Sequence, residues 1–442
     1  MSDSHDDANS ADSSHEEIED VSLEEKEAIA EMFKPDVPDH VPSAEQARAI
    51  DLCCDMTKAI VGVTGGAGTG KTFVLGKVFR ELKETGFKVT LCAPTGRAAK
   101  RIQELTGIPA LTVHRLLEYP MPFDLTAGEK NEPRRNRQNP LGSKVVIVDE
   151  SSMISTELYR NLLDALPKYG VIRFFGDDNQ LPPVEEYEGG VPESPFAKVL
   201  KRFPMVELSY NFRNEDLILD NAQRILRGAI PRINSRFVVI YTDNPVRQLT
   251  QFVKGHREFT QGNHQIIIPT RRGQFGTSRV NPTLQLIYNG VGPMLRLDRY
   301  DRKEAPLAVR ANDKFLWIKN DYQLDVYNGE IGAIEWINTE DGELGLRTPD
   351  RLVNVPARVR QYSPYHGGMI YYDPRKQIEL GYAVTTHKAQ GSEFDSVVYC
   401  ITKGQAYLLN KRNFYTAITR ARKLVVVIAD RMAMSMSMRK YK

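Results

Sequence analysis

The stretch GGAGTGKT, residues 65–72, constrains the fold more than any other part of the chain. It follows the apolar run IVGVTG and leads into KTFVLGKVFREL, so it reads as a strand, a glycine-rich turn and a helix to about Leu82. Backbone N–H groups wrap phosphates in the pattern G-x-x-x-x-G-K-[ST] because the turn opens a helix. Gly65, Gly66, Ala67, Gly68, Thr69, Gly70, Lys71 and Thr72 are the expected nucleotide cradle. Lys71 would reach the β- and γ-phosphates, and the Thr72 hydroxyl would ligate Mg²⁺.

The surrounding sequence agrees with a parallel sheet. VTLCAP, VVIVDE and VIRFFGD are continuous apolar runs, and GRAAKRIQEL and STELYRNLLDAL between them read as helices. Runs of this kind belong to strands covered on both faces. A helix over SAEQARAIDLCCDM comes first. A second α/β region begins near Val206, with a strand in QIIIPT, a helix near 276–289, AVTTHKAQG, a helix over RNFYTAITRAR and a last strand in KLVVVIAD. Residues 296–375 differ, because short runs such as KFLWIK, NGEIGAIEWI and RLVNVPARV alternate between Gly, Asn and Asp. They read as a small β-barrel inserted into the second region. Residues 118–143, with four prolines and EPRRNRQNP, read as a surface insertion in the first. The expected domains are a disordered acidic tail (1–34), a first α/β domain (35–204), a second (205–295 and 376–442) and the barrel.

Charge is unevenly placed. Residues 1–31 hold twelve carboxylates against one lysine, −11, which leaves +13 for the rest of a chain whose total is +2. An acidic segment solvates itself, and a basic body suits a polyanion. No apolar run approaches the roughly 18 residues of a membrane span, and no secretory signal opens the chain, so a cytoplasmic location is expected. Cys53, Cys54, Cys92 and Cys400 form no metal-ligand spacing and read as reduced thiols.

Asp149 and Glu150 end a buried strand at the right distance after the phosphate loop. Asp149 would hold Mg²⁺, and Glu150 would orient and deprotonate the attacking water. In FFGDDNQLPPV, Gln180 can bond the γ-phosphate or its water, and two prolines stiffen the exit. Arg213 in YNFRN and Arg420 in ITRAR are candidates to neutralise transition-state charge from outside the loop. If Arg420, on an expected helix of the second region, reaches the γ-phosphate, the ATP site lies between two domains. No nuclease-like carboxylate cluster is evident.

In this order GGAGTGKT, APTGRAAKRI, VDESSM, GDDNQLPPV, YNFR, HKAQGSEFD and YTAITRAR resemble the motifs of superfamily 1 DNA helicases, most of all the branch with RecD and the phage Dda helicase. The resemblance covers roughly residues 43–430. It implies two RecA-like domains, ATP between them, single-stranded DNA across their tops, and 5′ to 3′ movement. By the same resemblance Gln46 reads adenine, although Ser43 and Gln46 also form a capping box. Pro94, Thr95 and Gly96 would grip the DNA backbone, as would Thr112 and His114, which also suit packing or capping. NGEIG resembles a turn in the family's SH3-like barrel. Thr385, Thr386 and His387 would face DNA, while Gly391 and Glu393 would face the nucleotide, with Glu393 on the ribose. Tyr119, Phe123, Tyr362, Tyr365, Tyr371 and Tyr372 lie beside basic residues and suit either base stacking or core packing. An RNA helicase, a protein-stripping translocase and a nucleotide-gated DNA-binding switch are the alternatives. Duplex junctions, replication or recombination proteins and a monomeric motor complete the expectation.

Overall fold

The computed structural model describes residues 41–120, 131–183, 193–212, 217–260, 263–299, 305–363 and 368–439; the acidic tail, Phe123, Arg213 and Tyr365 lie outside them. The first half contains α1 (Ala44–Cys54), β1 (Ile60–Gly65), α2 (Lys71–Glu84), β2 (Val89–Ala93), α3 (Gly96–Thr106), β3 (Ala110–Thr112) and α4 (Val113–Leu116). There follow β4 (Val145–Val148), α5 (Thr156–Ala165), β5 (Val171–Gly176), α6 (Pro195–Arg202) and β6 (Met205–Leu208). All six strands are parallel, in the order β3-β2-β4-β5-β1-β6. Val61, Val63 and Ile147 pack against Val74, Leu75 and Val78 of α2 on one face. Val146, Val148 and Phe174 pack against Leu162 and Phe196 on the other. Each such side chain contributes about 1.5–3 kcal/mol by leaving water.

The expected boundary at 204/205 is corrected. β6 pairs with β1, Gly62 beside Met205 and Gly65 beside Leu208, so Val206 belongs to the first sheet. Without β6 the strand that carries the phosphate loop would be an open edge.

One arginine lies inside this sheet. Arg173 of β5 has no exposed surface, and its guanidinium donates to the carbonyls of Cys53, Asp55 and Lys58 at 2.6, 3.0 and 2.8 Å. A cation set against carbonyls at and just beyond the C-terminus of α1 complements the helix dipole and satisfies those acceptors.

The second half contains α7 (Leu217–Leu226), β7 (Phe237–Tyr241), α8 (Pro245–Gly255), β8 (His264–Ile268) and α9 (Thr277–Asn289). Next come β9 (Met294–Leu297), β10 (Leu307–Arg310), β11 (Lys314–Trp317), β12 (Ile331–Asn338), β13 (Glu343–Arg347), β14 (Leu352–Val355), β15 (Val359–Ser363), β16 (Gly368–Tyr372) and β17 (Ile378–Leu380). The chain then returns through β18 (Ala383–Thr385), α10 (Thr386–Ala389), β19 (Phe394–Ile401), α11 (Lys411–Ile418), β20 (Ala421–Ala429) and α12 (Arg431–Ser437). A second parallel sheet has the order β18-β8-β19-β20-β7.

The interrupting segment is antiparallel, in the order β14-β13-β12-β11-β17, with separate hairpins β9–β10 and β15–β16. Among the described residues this sheet ends at β14 and β17, and β17 lies beyond the expected limit of 375. Phe315, Trp317, Ile334 and Leu344 share one core with Ile266, Ile268, Val398 and Ile428 of the second parallel sheet. The insertion is therefore a buttress with a common core.

Candidate functional site

The cleft is built on strand ends. The phosphate loop turns from β1 into α2 through Gly68 and Gly70, both at φ +80°. At Gly70 the positive φ disfavours any residue with a Cβ, which would also have to displace the Gln46 amide. Lys71 Nζ donates to the Gly65 and Gly66 carbonyls at 2.7 and 2.9 Å. Gln46 makes both halves of the capping box with Ser43, and its Nε2 also donates to the Thr69 carbonyl at 3.4 Å. It is at once a helix cap and a brace for the loop.

Asp149 and Glu150 leave β4 beside this loop. Asp149 is buried and its carboxyl is raised, by burial first and by the Glu150 charge second. It accepts the Glu150 N–H at 2.8 Å. Glu150 stands at φ +49°, a left-handed conformation costly for a residue with a Cβ, and its Oε2 is buried with no hydrogen-bond partner. Gln180 is 4% exposed; its Nε2 donates to Asp177 at 3.4 Å and its Oε1 has no partner.

The opposite wall comes from the second sheet. Gly391, Glu393, Arg420 and Arg422 line the same cleft, of about 350 Å³, as Lys71, Thr72, Asp149, Glu150 and Gln180. The expected helical position of Arg420 is corrected: α11 ends at Ile418 and β20 starts at Ala421, so Arg420 sits in the tight turn between them. Its guanidinium donates to the Thr416 carbonyl, the Ser392 carbonyl and the Thr419 hydroxyl at 3.1, 3.4 and 3.2 Å. Glu393 does not stand open to a ribose. Its carboxylate pairs with Arg101 of α3 and, at 2.7 Å, with Arg422. Burial alone would raise this carboxyl; the two guanidiniums outweigh it and hold it down at about 2.

Sequence reasoning missed Arg101, Arg422 and Tyr415. Ala98, Arg101 and Leu105 form one stripe of α3 toward the cleft, a spacing that was available as a signal. Tyr415 donates to Asp177 Oδ2 at 2.7 Å. The loop that follows is held on the same side: the Leu181 N–H donates to Thr416 at 2.9 Å and its carbonyl accepts from Gln390 at 2.8 Å. Three bonds from the second sheet thus clasp the loop that carries Gln180.

A family model described as an AAA domain matches residues 46–186, and one described as a UvrD-like helicase C-terminal domain matches residues 380–428. The chain is 32% identical over 389 residues to the ATP-dependent RecD2 DNA helicase of Deinococcus radiodurans, which covers 86% of this chain and 48% of that protein. It is 28% identical over 418 residues to the RecBCD enzyme subunit RecD of Mycolicibacterium smegmatis, covering 84% and 69%. Over most of its length the chain is therefore similar to RecD-type helicases. It spans about half the length of the RecD2 protein. Its fold matches Bacteroides Pif1 helicase in complex with ADP-AlF3 and ssDNA, with a TM-score of 0.59 at 21% identity over 91% of this chain and 95% of that one.

The positions expected to meet DNA divide into two groups. Pro94, Thr95, Thr385 and His387 keep partial exposure. Thr95 caps α3 by accepting the Ala98 N–H, and Thr385 caps α10 by accepting the Lys388 N–H. Burial lowers the His387 imidazole to about 4, so it is neutral at pH 7. His114 is half-buried 5.0 Å from the Tyr119 ring, and burial lowers it too.

The other three are covered. Thr386 has no exposed surface and its hydroxyl donates to Asn413 at 2.8 Å. Thr112 is 3% exposed, caps α4 and shares a 2.9 Å hydrogen bond with the Tyr322 hydroxyl. Gly96 is buried under Tyr327, whose ring leaves no room for a Cβ. In this arrangement none of the three presents surface to a strand, because the 320–330 loop lies over Thr112 and Gly96 and α11 covers Thr386. The same region grips α3: Arg97 donates to the Gly329 carbonyl at 3.2 Å and lies over the Phe394 ring, and Lys100 pairs with Asp350. Between His387 and Gly391, Lys388 donates to Asn328 and Gln390 to the Leu181 carbonyl. Tyr119 is partly buried against the first core and accepts from Asn161 at 2.6 Å. Among the described residues no helix is long and apolar enough to cross a membrane.

Proposed function

We propose that the chain is an ATP-driven motor that moves 5′ to 3′ on single-stranded DNA and separates strands at duplex junctions. The observation that carries the reading is the single cleft in which Lys71, Glu150 and Gln180 of one sheet meet Arg420 and Gly391 of the other. Lys71 neutralises the β- and γ-phosphates, Glu150 takes the proton of the attacking water, and Gln180 and Arg420 stabilise charge on the γ-phosphoryl group, with Arg213 as the second arginine. Gln46 contacts adenine beside the loop it braces.

Buried Asp149 with the Thr72 hydroxyl suits a divalent ion, and the unpartnered oxygens of Glu150 and Gln180 suit a water-filled phosphate site. Mg²⁺ held by Thr72 and Asp149 supplies charge neutralisation. Because Arg420 and Glu393 come from the second sheet, closure of the cleft completes the site and reopening releases it. Two RecA-like domains act in this way, the first extending to Leu208. The segment 294–380 has the part of an SH3-like barrel. DNA runs past Pro94, Thr95, Thr385 and His387, with Gly96, Thr112, His114 and Thr386 beneath. The motor works as a monomer in the cytosol, alongside replication or recombination proteins.

DNA-stimulated phosphate release tests this. Wild type turns over, whereas Lys71→Ala and Glu150→Gln each lose about 100-fold or more. Stimulation by RNA but not by DNA makes the chain an RNA motor, and stimulation by neither removes the motor reading. Unwinding only from 3′ tails overturns the direction.

A further inference from the structure

The hairpin β15–β16 has two unlike faces. Residues alternate along both strands, and Arg360 pairs with Tyr371 and Tyr362 with Met369. On one side Val359, Gln361, Ile370 and Tyr372 are half-buried. On the other, Tyr362, Met369 and Tyr371 are 58, 45 and 52% exposed, beside exposed Arg358 and Arg360. The Arg358 guanidinium lies 4.2 Å from the Tyr371 ring centre. Among the described residues neither arginine forms an ion pair.

Two rings and two uncompensated cations on one solvent face fit an anion that also offers flat apolar surfaces. Unstacked bases on a phosphate backbone have that chemistry; a duplex keeps its base faces inside. The buried side ties the hairpin to the turns expected to lie beneath DNA. Tyr372 donates to Asp321 at 2.8 Å, and Asp321 accepts the N–H groups of Gln323 and Leu324. That is the loop whose Tyr322 bonds Thr112 and whose Tyr327 covers Gly96.

We infer that this face is a platform for single-stranded nucleic acid, on which bases stack against Tyr362 and Tyr371 while Arg358 and Arg360 hold the phosphates. The inference rests on the motor reading for its partner and adds a second binding surface, outside the cleft.

The test is binding of labelled oligo-dT of increasing length, about 8 to about 30 nucleotides, by the full chain. Tyr362→Ala/Tyr371→Ala is expected to lose about five-fold or more per ring on long oligonucleotides. Tyr362→Phe/Tyr371→Phe keeps wild-type affinity, because stacking uses the ring and not the hydroxyl. Arg358→Ala/Arg360→Ala weakens binding and lowers its salt dependence. Hydrolysis stimulated by the shortest oligonucleotide stays unchanged in all three variants. Wild-type affinity of the alanine variant at every length overturns the platform and leaves the motor reading intact. Loss confined to blunt duplex DNA also overturns it. A wild-type chain that neither binds nor is stimulated by oligo-dT removes both.

Discussion

Glu393 is the residue on which the two walls of the cleft meet. Its carboxyl is held at about 2 by Arg101 of the first half and Arg422 of the second, against an ordinary value of 4.5. A lowered carboxyl stabilises the fold fully above the unfolded value and loses that contribution as pH falls through the folded one. Wild type should therefore exceed Glu393→Gln by on the order of 2 kcal/mol at neutral pH. The difference should shrink between about pH 4.5 and 2. Urea midpoints of the two proteins across that range provide the measurement; a constant difference means that the arginines do not hold the charge. The pair was not legible in the sequence. Arg101 and Glu393 are far apart along the chain, and a charged residue on a helix ordinarily means a solvated face.

At the scale of elements, the loop after β5 depends on the second sheet for its shape. Tyr415, Thr416 and Gln390 fasten it, and the Tyr415 hydroxyl bonds the Asp177 carboxylate that Gln180 also touches. Tyr415→Phe removes one bond to a charged group, worth about 1.5–3 kcal/mol. Turnover should fall about ten-fold or more while nucleotide affinity, read by a fluorescent ADP analogue, stays within about two-fold. Equal losses in both would make Tyr415 a binding residue instead. The elements that frame this loop differ in how openly the sequence declares them. β4 is an unbroken apolar run, and β1 and β5 are apolar but for Thr64 and the buried Arg173, with almost every residue buried. β6 is not: MVEL exposes Met205 and Glu207, and only its pairing to β1 assigns it. RNFYTAITRAR has helical composition to its end, yet the register of β20 against β19, Phe394 beside Ala421, stops the helix early. Tertiary pairing outweighed local propensity, and it moved Arg420 from a helix to a turn.

For the whole molecule, the division of charge between residues 1–31 and the rest has a measurable effect. Removing a segment of −11 leaves a body of +13, so single-stranded DNA should bind more tightly at low salt, with the gain fading as salt rises. Identical titrations with and without the segment would show that it never screens the basic surface. Within the folded part, α3 joins several regions. Its capping Thr95 belongs to the proposed DNA-contacting turn, Arg101 reaches the cleft, and Arg97 and Lys100 hold the 329–350 region. A rigid helix tied at all these points cannot answer one ligand without informing the others. Thermodynamic reciprocity then requires that the factor by which single-stranded DNA changes nucleotide affinity equal the factor by which nucleotide changes DNA affinity. Loosening the helix with Arg97→Ala should draw both factors toward one together, even though Arg97 lies outside the nucleotide cleft.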